Sequence, residues 1–340
     1  MRLKLNWLTA ILFLLCAPYT QAEFITKVVY FKSADVKTNL TLKIQEIVEN
    51  TQRTYADEMQ RNGFERKTFS VETHLGKPKI HIVNGRKNAA SYLRNTYENT
   101  RNELPNFLRQ DTPPFDKQDM IIVTIVGGID CINGRDASAF CAWGVGYPHH
   151  SLRYGGNVLI AADSGNLNED VLFHEMGHAF GLYHKPSNFL PSTLEMYEAR
   201  WLDKHYQFNK RQNNFSLPEF VNDHKIIALE NGKVKLKINA IANNVLHQAM
   251  LVNSDLLVVS SHFMQGKNED TISFEFRRSE VSNNMFAELM DTNGNYIAKD
   301  FTIKLPNRLQ TEFDPLIAND HNSVYLTLIG GGQPEVHTLI

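Results

Sequence analysis

The feature that most constrains this chain is the segment HEMGHAFGLYH, which begins at His174. Residues four apart in a helix lie on one face, so His174 and His178 can direct two imidazoles at a common centre, with Glu175 on the same rim. Gly181 stands where such a helix would end, and a glycine there can adopt the left-handed conformation that reverses the chain. The reversal would bring His184 back as a third nitrogen ligand. The segment therefore predicts a helix, a tight turn and a three-histidine site.

Three histidine ligands are typical of a catalytic zinc ion. The two helical histidines with Glu175 form the HExxH zinc arrangement, and three protein ligands leave the fourth tetrahedral position of zinc open to water. Zinc lowers the pKa of its water towards about 7, and Glu175 is placed to take the proton. The alternative is a surface helix that happens to be rich in histidine. The offsets of Gly181 and His184 make that alternative much the poorer one.

The full pattern, HExxHxxGxxH, resembles that of the metzincin clan of zinc endopeptidases. The resemblance implies that His174, His178 and His184 bind one Zn²⁺ ion and that Glu175 is the general base. The implied activity is hydrolysis of peptide bonds by a zinc-activated water, with a protein or peptide as substrate. No covalent intermediate is needed for this chemistry, so the lack of a clear Ser-His-Asp or Cys-His arrangement does not count against it.

Metzincins also carry a methionine turn beneath the metal, and Met196 is the one candidate for it in this chain. It lies in the helical pattern TLEMYEARWL, so packing in the core is an equally good interpretation. Tyr183 or Tyr197 could stabilise an oxyanion, although either is more often simply buried. In a gluzincin, a downstream glutamate replaces the third histidine, and Glu195 and Glu198 would be the candidates for that ligand.

The first residues have the pattern of an export signal, predicted to span 1–22. Arg2 and Lys4 precede an apolar stretch, and a cut after Ala22 would follow small residues. A membrane anchor is the alternative, but the apolar run is well short of the ~20 residues that a span needs. A lipoprotein acylated on Cys16 is a weaker interpretation, because Leu15 precedes it. We therefore expect no membrane span and a secreted, extracellular or periplasmic protein.

Export leaves two cysteines, Cys131 and Cys141, in the mature chain. An oxidising compartment favours a disulfide between them. Free buried thiols, or one cysteine bound to the zinc in a latent form, are the alternatives. The adjacent His149 and His150 could belong to a second metal site, but solvated loop histidines are the commoner case.

The formal net charge of -2 becomes -4 if Arg2 and Lys4 leave with the leader. A chain without a basic excess has no electrostatic footprint for nucleic acid, so we expect no nucleic-acid partner. The same composition, 42% apolar and 21% charged, is that of a folded globular protein.

At 340 residues the chain suits two domains after the leader, which we place at 23–212 and 213–340. Strand-like and helix-like runs alternate in the first, which predicts a mixed, mostly parallel sheet in an α/β-like upper subdomain. Residues 157–163 are the candidate strand at the edge of the cleft. The predicted strands are 26–32, 79–83, 120–126 and 157–162, and the predicted helices are 40–62, 89–108, a zinc helix capped by Asn166 or Asn168, and 193–208.

Short β-prone runs separated by turn signals fill the second domain, which predicts an all-β, sandwich-like unit and an α+β chain overall. The arrangement resembles secreted bacterial metalloproteases that join the peptidase to a C-terminal β-rich module. The leading hypothesis is thus a zinc metalloendopeptidase. Its rival is a catalytically inactive zinc-domain protein that acts as an extracellular binding or adhesion module through the β domain, whose partner the sequence does not identify.

Overall fold

The structure is a computed structural model. The predicted leader, both remaining cysteines, and His149 with His150 lie outside the residues that it describes, so those proposals stay predictions. The described residues are 25–109, 120–129, 132–133, 139–140, 142–146, 155–163, 167–184, 193–209, 216–228, 232–280, 284–304 and 327–329.

A five-stranded sheet organises the first half of the chain, in the order β4-β1-β5-β9-β8. The first four of these strands are parallel, and β8 pairs with β9 in the antiparallel sense, so the predicted mixed, mostly parallel sheet is confirmed. Every residue of β5 is buried, as expected for an apolar run covered on both faces. The strands are β1 (Thr26–Lys32), β2 (Thr73–His74), β3 (Lys77–Pro78), β4 (Ile80–Asn84), β5 (Ile121–Gly127), β6 (Ile132–Asn133), β7 (Ala139–Phe140), β8 (Ala142–Gly146) and β9 (Gly156–Ala161).

The helices agree with the sequence in three places and differ in one. The first, α1 (Thr41–Arg61), matches its prediction and buries one face on the sheet. The single helix predicted over 89–108 is wrong, because only α2 (Thr96–Arg101) and two flanking 3₁₀ turns form. Asn95 there is left-handed, with φ of 50°, and Pro105 precedes the last turn, so neither point can continue a helix. The remaining helices are α3 (Glu169–Ala179) and α4 (Met196–Lys204).

Two further sheets pack face to face in the second half of the chain and form the predicted sandwich. They share a core to which Leu236 and Phe274 contribute from one sheet and Leu251 and Leu289 from the other. Sequence analysis missed β10. Polar residues at 222–225 interrupt its alternation of apolar and polar residues, and its register shifts between Phe220 and His224. The sheets have the orders β10-β11-β14 and β13-β12-β15-β16-β17, built from β10 (Glu219–Ala228), β11 (Lys233–Ile241), β12 (Leu246–Val252), β13 (Val258–Phe263), β14 (Glu269–Arg277), β15 (Asn284–Asp291), β16 (Tyr296–Lys304) and β17 (Thr327–Ile329).

Two inner strands of the larger sheet, β12 and β15, are buried on both faces. Along β15, Ala287 and Leu289 point into the sandwich, whereas Phe286 and Met290 join the core that also contains helix α3. Since side chains alternate along a strand, one sheet can serve two cores. The β sandwich is therefore packed against the first half of the chain through a continuous apolar core.

Polar contacts tie the same sheet to α4. The Gln248 side chain donates to the carbonyl oxygen of Tyr197 at 2.9 Å, and the ring of Trp201 lies 5.8 Å from that of Tyr296. The β15–β16 turn also lies against the end of α4, because a Cβ added to Gly294 would stand 2.2 Å from the carbonyl oxygen of Lys204. None of the described helices is long and apolar enough to cross a bilayer.

Substitution of Gly294 tests this packing. Gly294 and Gly266 both have left-handed backbones, with φ of 77° and 69°, but no atom lies within 4 Å of a Cβ built on Gly266. We expect Gly266→Ala to cost the left-handed penalty alone, about 1–2 kcal/mol in the free energy of unfolding. Gly294→Ala should cost about 1–3 kcal/mol more, because its methyl group overlaps the Lys204 carbonyl. Denaturant unfolding measures both, and equal losses would contradict the observed packing.

Candidate metal centre

Helix α3 carries the first two histidines and is fixed at its amino end by a side-chain cap. Asn168 is the N-cap, and its side-chain oxygen accepts a hydrogen bond from the backbone N–H of Val171 at 3.0 Å. Glu169 and Asp170 occupy the first turn, where carboxylates interact favourably with the positive end of the helix dipole. Of the two caps that the sequence offered, Asn168 is the one used.

The apolar side of α3 is anchored in the core. Tyr55 of α1 donates its hydroxyl to the carbonyl oxygen of Phe173 at 2.8 Å and stacks on the Phe173 ring at 4.1 Å. The helix carries an apolar stripe that is buried as a whole, which leaves the opposite side of the helix to the histidines. The stripe consists of Leu172, Met176, Ala179 and Phe180.

The helix ends as the sequence predicts, at a left-handed glycine. Gly181 has φ of 78°, and its N–H donates to the carbonyl oxygen of His178 at 3.0 Å. The N–H of Leu182 donates to the carbonyl oxygen of Gly177 at 2.9 Å, which completes a Schellman motif. The chain reverses within these residues and presents His184 to the same centre as the helix.

The three predicted ligands converge. The Nε2 atom of His178 lies 3.1 Å from Nε2 of His174 and 3.1 Å from Nε2 of His184, and one ligand atom from each residue lies within 4.8 Å of the others. With Zn–N bonds of 2.0–2.1 Å, ideal tetrahedral geometry separates ligand nitrogens by about 3.3 Å. The spacing of the imidazoles thus suits a single metal ion.

The imidazoles are held in the neutral form that a metal requires. Burial, together with the neighbouring imidazoles, lowers the pKa of His174 to about 3. Burial likewise lowers the pKa of His178 to about 4 and that of His184 below its ordinary value. The Leu182 carbonyl oxygen lies 2.9 Å from Nδ1 of His178, so this nitrogen carries the proton and Nε2 keeps its lone pair for the centre.

Glu175 follows His174 on α3 and is almost entirely buried, with 7% of its surface exposed. Burial raises the pKa of its carboxyl to about 7, and a hydrogen bond from the backbone N–H of Gly144 partly offsets that rise. The contact is close, because a Cβ on Gly144 would stand 2.2 Å from the Glu175 carbonyl oxygen. Strand β8 is thereby pressed against the helix that carries the metal ligands.

This contact corrects the predicted edge of the cleft. The strand within 157–163, β9, lies between β5 and β8 and is not an edge strand, so that prediction is wrong. The antiparallel strand β8 ends the sheet in the described part of the chain. Its short, glycine-containing sequence gave no clear strand periodicity, which is why sequence analysis missed it.

Sequence reasoning also missed the contribution of the sandwich to His184. The backbone N–H of His184 donates to the carbonyl oxygen of Leu256 at 3.1 Å, and its carbonyl oxygen accepts from the N–H of Val258 at 3.2 Å. Leu256 lies in the turn between β12 and β13, and Val258 is the first residue of β13. His184 also forms an isolated parallel bridge with Leu257. Only long-range packing determines this pairing, so no local pattern could have indicated it.

Four other candidate residues have different positions from those the sequence suggested. Met196 is the first residue of α4 and is 50% exposed, so neither the methionine turn nor core packing describes it. The Tyr183 hydroxyl donates to Glu288 of the sandwich, which excludes its proposed oxyanion role. Glu195 and Glu198 form the capping box of α4, so the gluzincin alternative is wrong.

Tyr197, the second oxyanion candidate, is half-buried and packs against the main core. Burial raises its pKa, with the carboxylates of Glu198 and Glu195 adding to the rise. The environment of Tyr197 therefore favours a packing role over the stabilisation of an oxyanion.

Comparison with known proteins gives similarity at the level of the fold. No family model matches the sequence, and no curated protein matches it. Among solved structures, wild-type OgpA from Akkermansia muciniphila (crystal form P 21 21 21) has a TM-score of 0.59 at 17% identity, over 90% of this chain and 95% of OgpA. The same protein in form P 41 21 2 has a TM-score of 0.56 at 18% identity, over 82% of this chain and 92% of OgpA.

A third OgpA structure holds a bound substrate. It is a catalytically inactive OgpA in complex with an O-glycopeptide, glycodrosocin, with a TM-score of 0.58 at 16% identity over 82% of this chain and 92% of OgpA. Identities this low establish a shared fold and nothing finer. The shared fold extends over both halves of the chain, because the coverage exceeds the length of either half.

The contact between Gly144 and Glu175 is testable with two glycine variants. Gly144→Ala places a methyl group against the Glu175 backbone, and we expect a loss of about 1–3 kcal/mol in the free energy of unfolding. Gly177→Ala is the control, on the helix that carries Glu175. The nearest atom there, the Tyr55 hydroxyl oxygen, would lie 3.5 Å from the new Cβ. Because Gly177 is helical, we expect Gly177→Ala to raise the free energy of unfolding by up to about 1 kcal/mol. Denaturant unfolding measures both changes, and a neutral Gly144→Ala would contradict the observed approach of β8.

Proposed function

We propose that this protein is a secreted zinc-dependent endopeptidase. The observation that carries the proposal is the convergence of His174, His178 and His184 on one point. Glu175, which follows His174 on the same helix, is buried. A set of neutral imidazoles suits zinc, and three protein ligands leave a coordination position for water or substrate. Export rests on the predicted leader, residues 1–22, and on the likeness of the motif to secreted metalloproteases.

The chain's own residues divide the work of peptide hydrolysis. His174, His178 and His184 would hold the zinc, which would supply Lewis-acid chemistry in the form of a water that is nucleophilic near neutral pH and a polarised scissile carbonyl. Glu175 accepts the proton of the attacking water and delivers it to the leaving amine. The N–H of Gly144 orients the Glu175 carboxylate, so that it is in place before the substrate arrives.

Strand β8 supports a peptide as the substrate. It is antiparallel, ends the sheet within the described residues and lies against Glu175. An extended peptide can add to the edge of a sheet through main-chain hydrogen bonds, with its side chains placed alternately. A peptide bound there would pass directly beside the metal ligands.

We propose O-glycosylated peptides as the substrate class. The support is the fold shared with OgpA, whose inactive form binds an O-glycopeptide substrate, and the extent of that fold over 90% of this chain in one comparison. A secreted peptidase meets glycosylated surface proteins, so the compartment agrees with this class of substrate.

Replacement of the proposed general base tests the mechanism. Glu175→Gln removes the proton acceptor but no metal ligand, so we expect the protein to keep one zinc per chain and to lose about 10²–10⁴-fold in kcat/KM. His184→Ala should instead reduce the bound zinc, because it removes one of three ligands. Metal analysis and peptide cleavage, each with and without a chelator, measure the two effects.

The inactive binding module is the outcome that would replace this proposal. Wild-type protein with one bound zinc that leaves a broad library of plain and O-glycosylated peptides uncut would support it. Cleavage by Glu175→Gln at the wild-type rate would remove Glu175 from its proposed role.

A matched pair of peptides tests the substrate class. The two peptides have one sequence, and a single threonine carries an O-linked glycan in one of them. We expect the glycosylated peptide to be cleaved at least tenfold faster, because a site built to hydrogen-bond a group rejects the analogue that lacks it. Mass spectrometry of the products gives both the rates and the bond cleaved. Equal rates would leave the peptidase in place and contradict the preference for glycans.

A further inference from the structure

The third metal ligand has its backbone held by the β sandwich. Both backbone hydrogen-bonding groups of His184 are satisfied there, its N–H by Leu256 and its carbonyl oxygen by the N–H of Val258. Helix α3 holds His174 and His178 independently. One proposed metal ion would therefore be bound by ligands whose positions depend on two different parts of the fold.

The turn that receives His184 is itself well fixed. Asn253 is buried, and its side-chain oxygen accepts from the N–H groups of Asp255 and Leu257, both at 3.0 Å. Leu256 within this turn has φ of 59°, a left-handed backbone that is uncommon for a residue with a side chain. Such a conformation persists only where the surrounding structure stabilises it. Here the two hydrogen bonds to the Asn253 side chain stabilise it.

Tyr183, directly before the ligand, adds a side-chain anchor. Its hydroxyl donates to the carboxyl of Glu288, and its ring centroid lies 5.4 Å from that of Phe286. Successive side chains of an extended segment point to opposite sides. With Tyr183 fixed in the sandwich, the imidazole of His184 is turned the other way, towards the Nε2 atom of His178 at 3.1 Å.

Glu288 is an unusual residue to find in this place. It lies in the middle of β15 with no exposed surface. It is on the same face of the strand as Phe286 and Met290, which pack in the core that contains α3. Burying a carboxyl is costly unless it is hydrogen-bonded, and one of its oxygens, Oε2, has no hydrogen-bond partner among the described residues. A leucine would satisfy the packing at lower cost, so packing alone does not account for the carboxyl.

We propose that the β sandwich completes the metal site, with Tyr183 and Glu288 acting as positioning residues for His184. The inference rests on the metal site of the proposed function and not on its substrate. Loss of the Tyr183 hydroxyl releases the side-chain anchor while every ligand remains. The affinity for metal then falls, because His184 must be ordered at the moment of binding.

Zinc affinity of the whole mature chain, measured by competition with a chromophoric chelator, tests the proposal. Tyr183→Phe removes only the hydroxyl, and we expect zinc binding to weaken about tenfold, the low end for residues that orient metal ligands. Glu288→Gln retains an acceptor oxygen for Tyr183, so its affinity should stay within about twofold of wild type. The visible spectrum of the Co²⁺-substituted protein gives a second readout, since it reports ligand geometry without any substrate.

A tyrosine–glutamate pair elsewhere in the chain provides the matched control. Tyr92 donates its hydroxyl to Glu103 at 2.9 Å, and its ring is buried in the core on the other side of the five-stranded sheet. Tyr92→Phe also removes one hydroxyl and its hydrogen bond to a carboxyl, together with the hydrogen bond that this hydroxyl accepts from the backbone N–H of Lys87 at 3.0 Å. A purely structural role predicts that both tyrosine variants lower the free energy of unfolding of the metal-free protein and that neither changes zinc affinity. The positioning role predicts loss of zinc affinity only in Tyr183→Phe.

A double variant keeps the test valid if Tyr183→Phe folds poorly. Tyr183→Phe with Glu288→Met removes both partners and leaves no buried polar group unpaired, which restores the fold but not the anchor. Weak zinc binding in that folded protein supports the proposal. Zinc affinity and a Co²⁺ spectrum equal to those of the wild type in either variant overturn it. A wild-type chain that binds no metal would instead overturn the proposed function along with it.

Discussion

The position of the third histidine is the constraint on which the site depends. A helix can direct two imidazoles, four residues apart on one face, at a single point. A third histidine on the same helix could not reach that point. The remaining ligand must come from a segment that leaves the helix and returns. In this chain the Schellman motif at Gly181 provides the return, and the pairing of His184 with the β12–β13 turn fixes where the segment stops.

That constraint explains why the β domain is packed as it is. Its larger sheet places Ala287 and Leu289 in the sandwich and Phe286 and Met290 in the core beneath α3, so the sheet belongs to both halves. A module attached by a linker alone would need polar surfaces where the two halves meet. The apolar, interlocked interface of this chain instead holds the turn that meets His184 at a constant distance from the helix.

The parts that the sequence predicted are those that local spacing determines. The HExxHxxGxxH segment specified α3 and the left-handed Gly181, because both depend on residues within about three helical turns. It also predicted the grouping of the three histidines, which the long-range pairing of His184 completes. The parallel order of the first strands followed from the alternation of elements. The edge role of β8, the approach of Gly144 and the contact with Glu288 depend on residues far apart in the chain. A single polar residue in an apolar run such as 286–290 carries no sign of its partner. The helix predicted over 89–108 failed because its apolar spacing was given more weight than Pro105, which a helix interior does not tolerate. The left-handed backbone of Asn95 depends on the surrounding structure.

In the proposed metal site, the division of the ligands would couple metal binding to the docking of the two halves. His174 and His178 move with α3, whereas His184 follows the sandwich, so an ion that binds all three favours the docked arrangement over any in which the halves separate. Because ligand convergence needs the apolar interface, and a bound ion in turn stabilises that interface, the two contribute to stability together. The metal would then act as a cross-link between the two halves as well as a centre for chemistry. The buried carboxyl of Glu288 is unfavourable by itself, but its hydrogen bond with Tyr183 would hold His184, one end of that cross-link, in position.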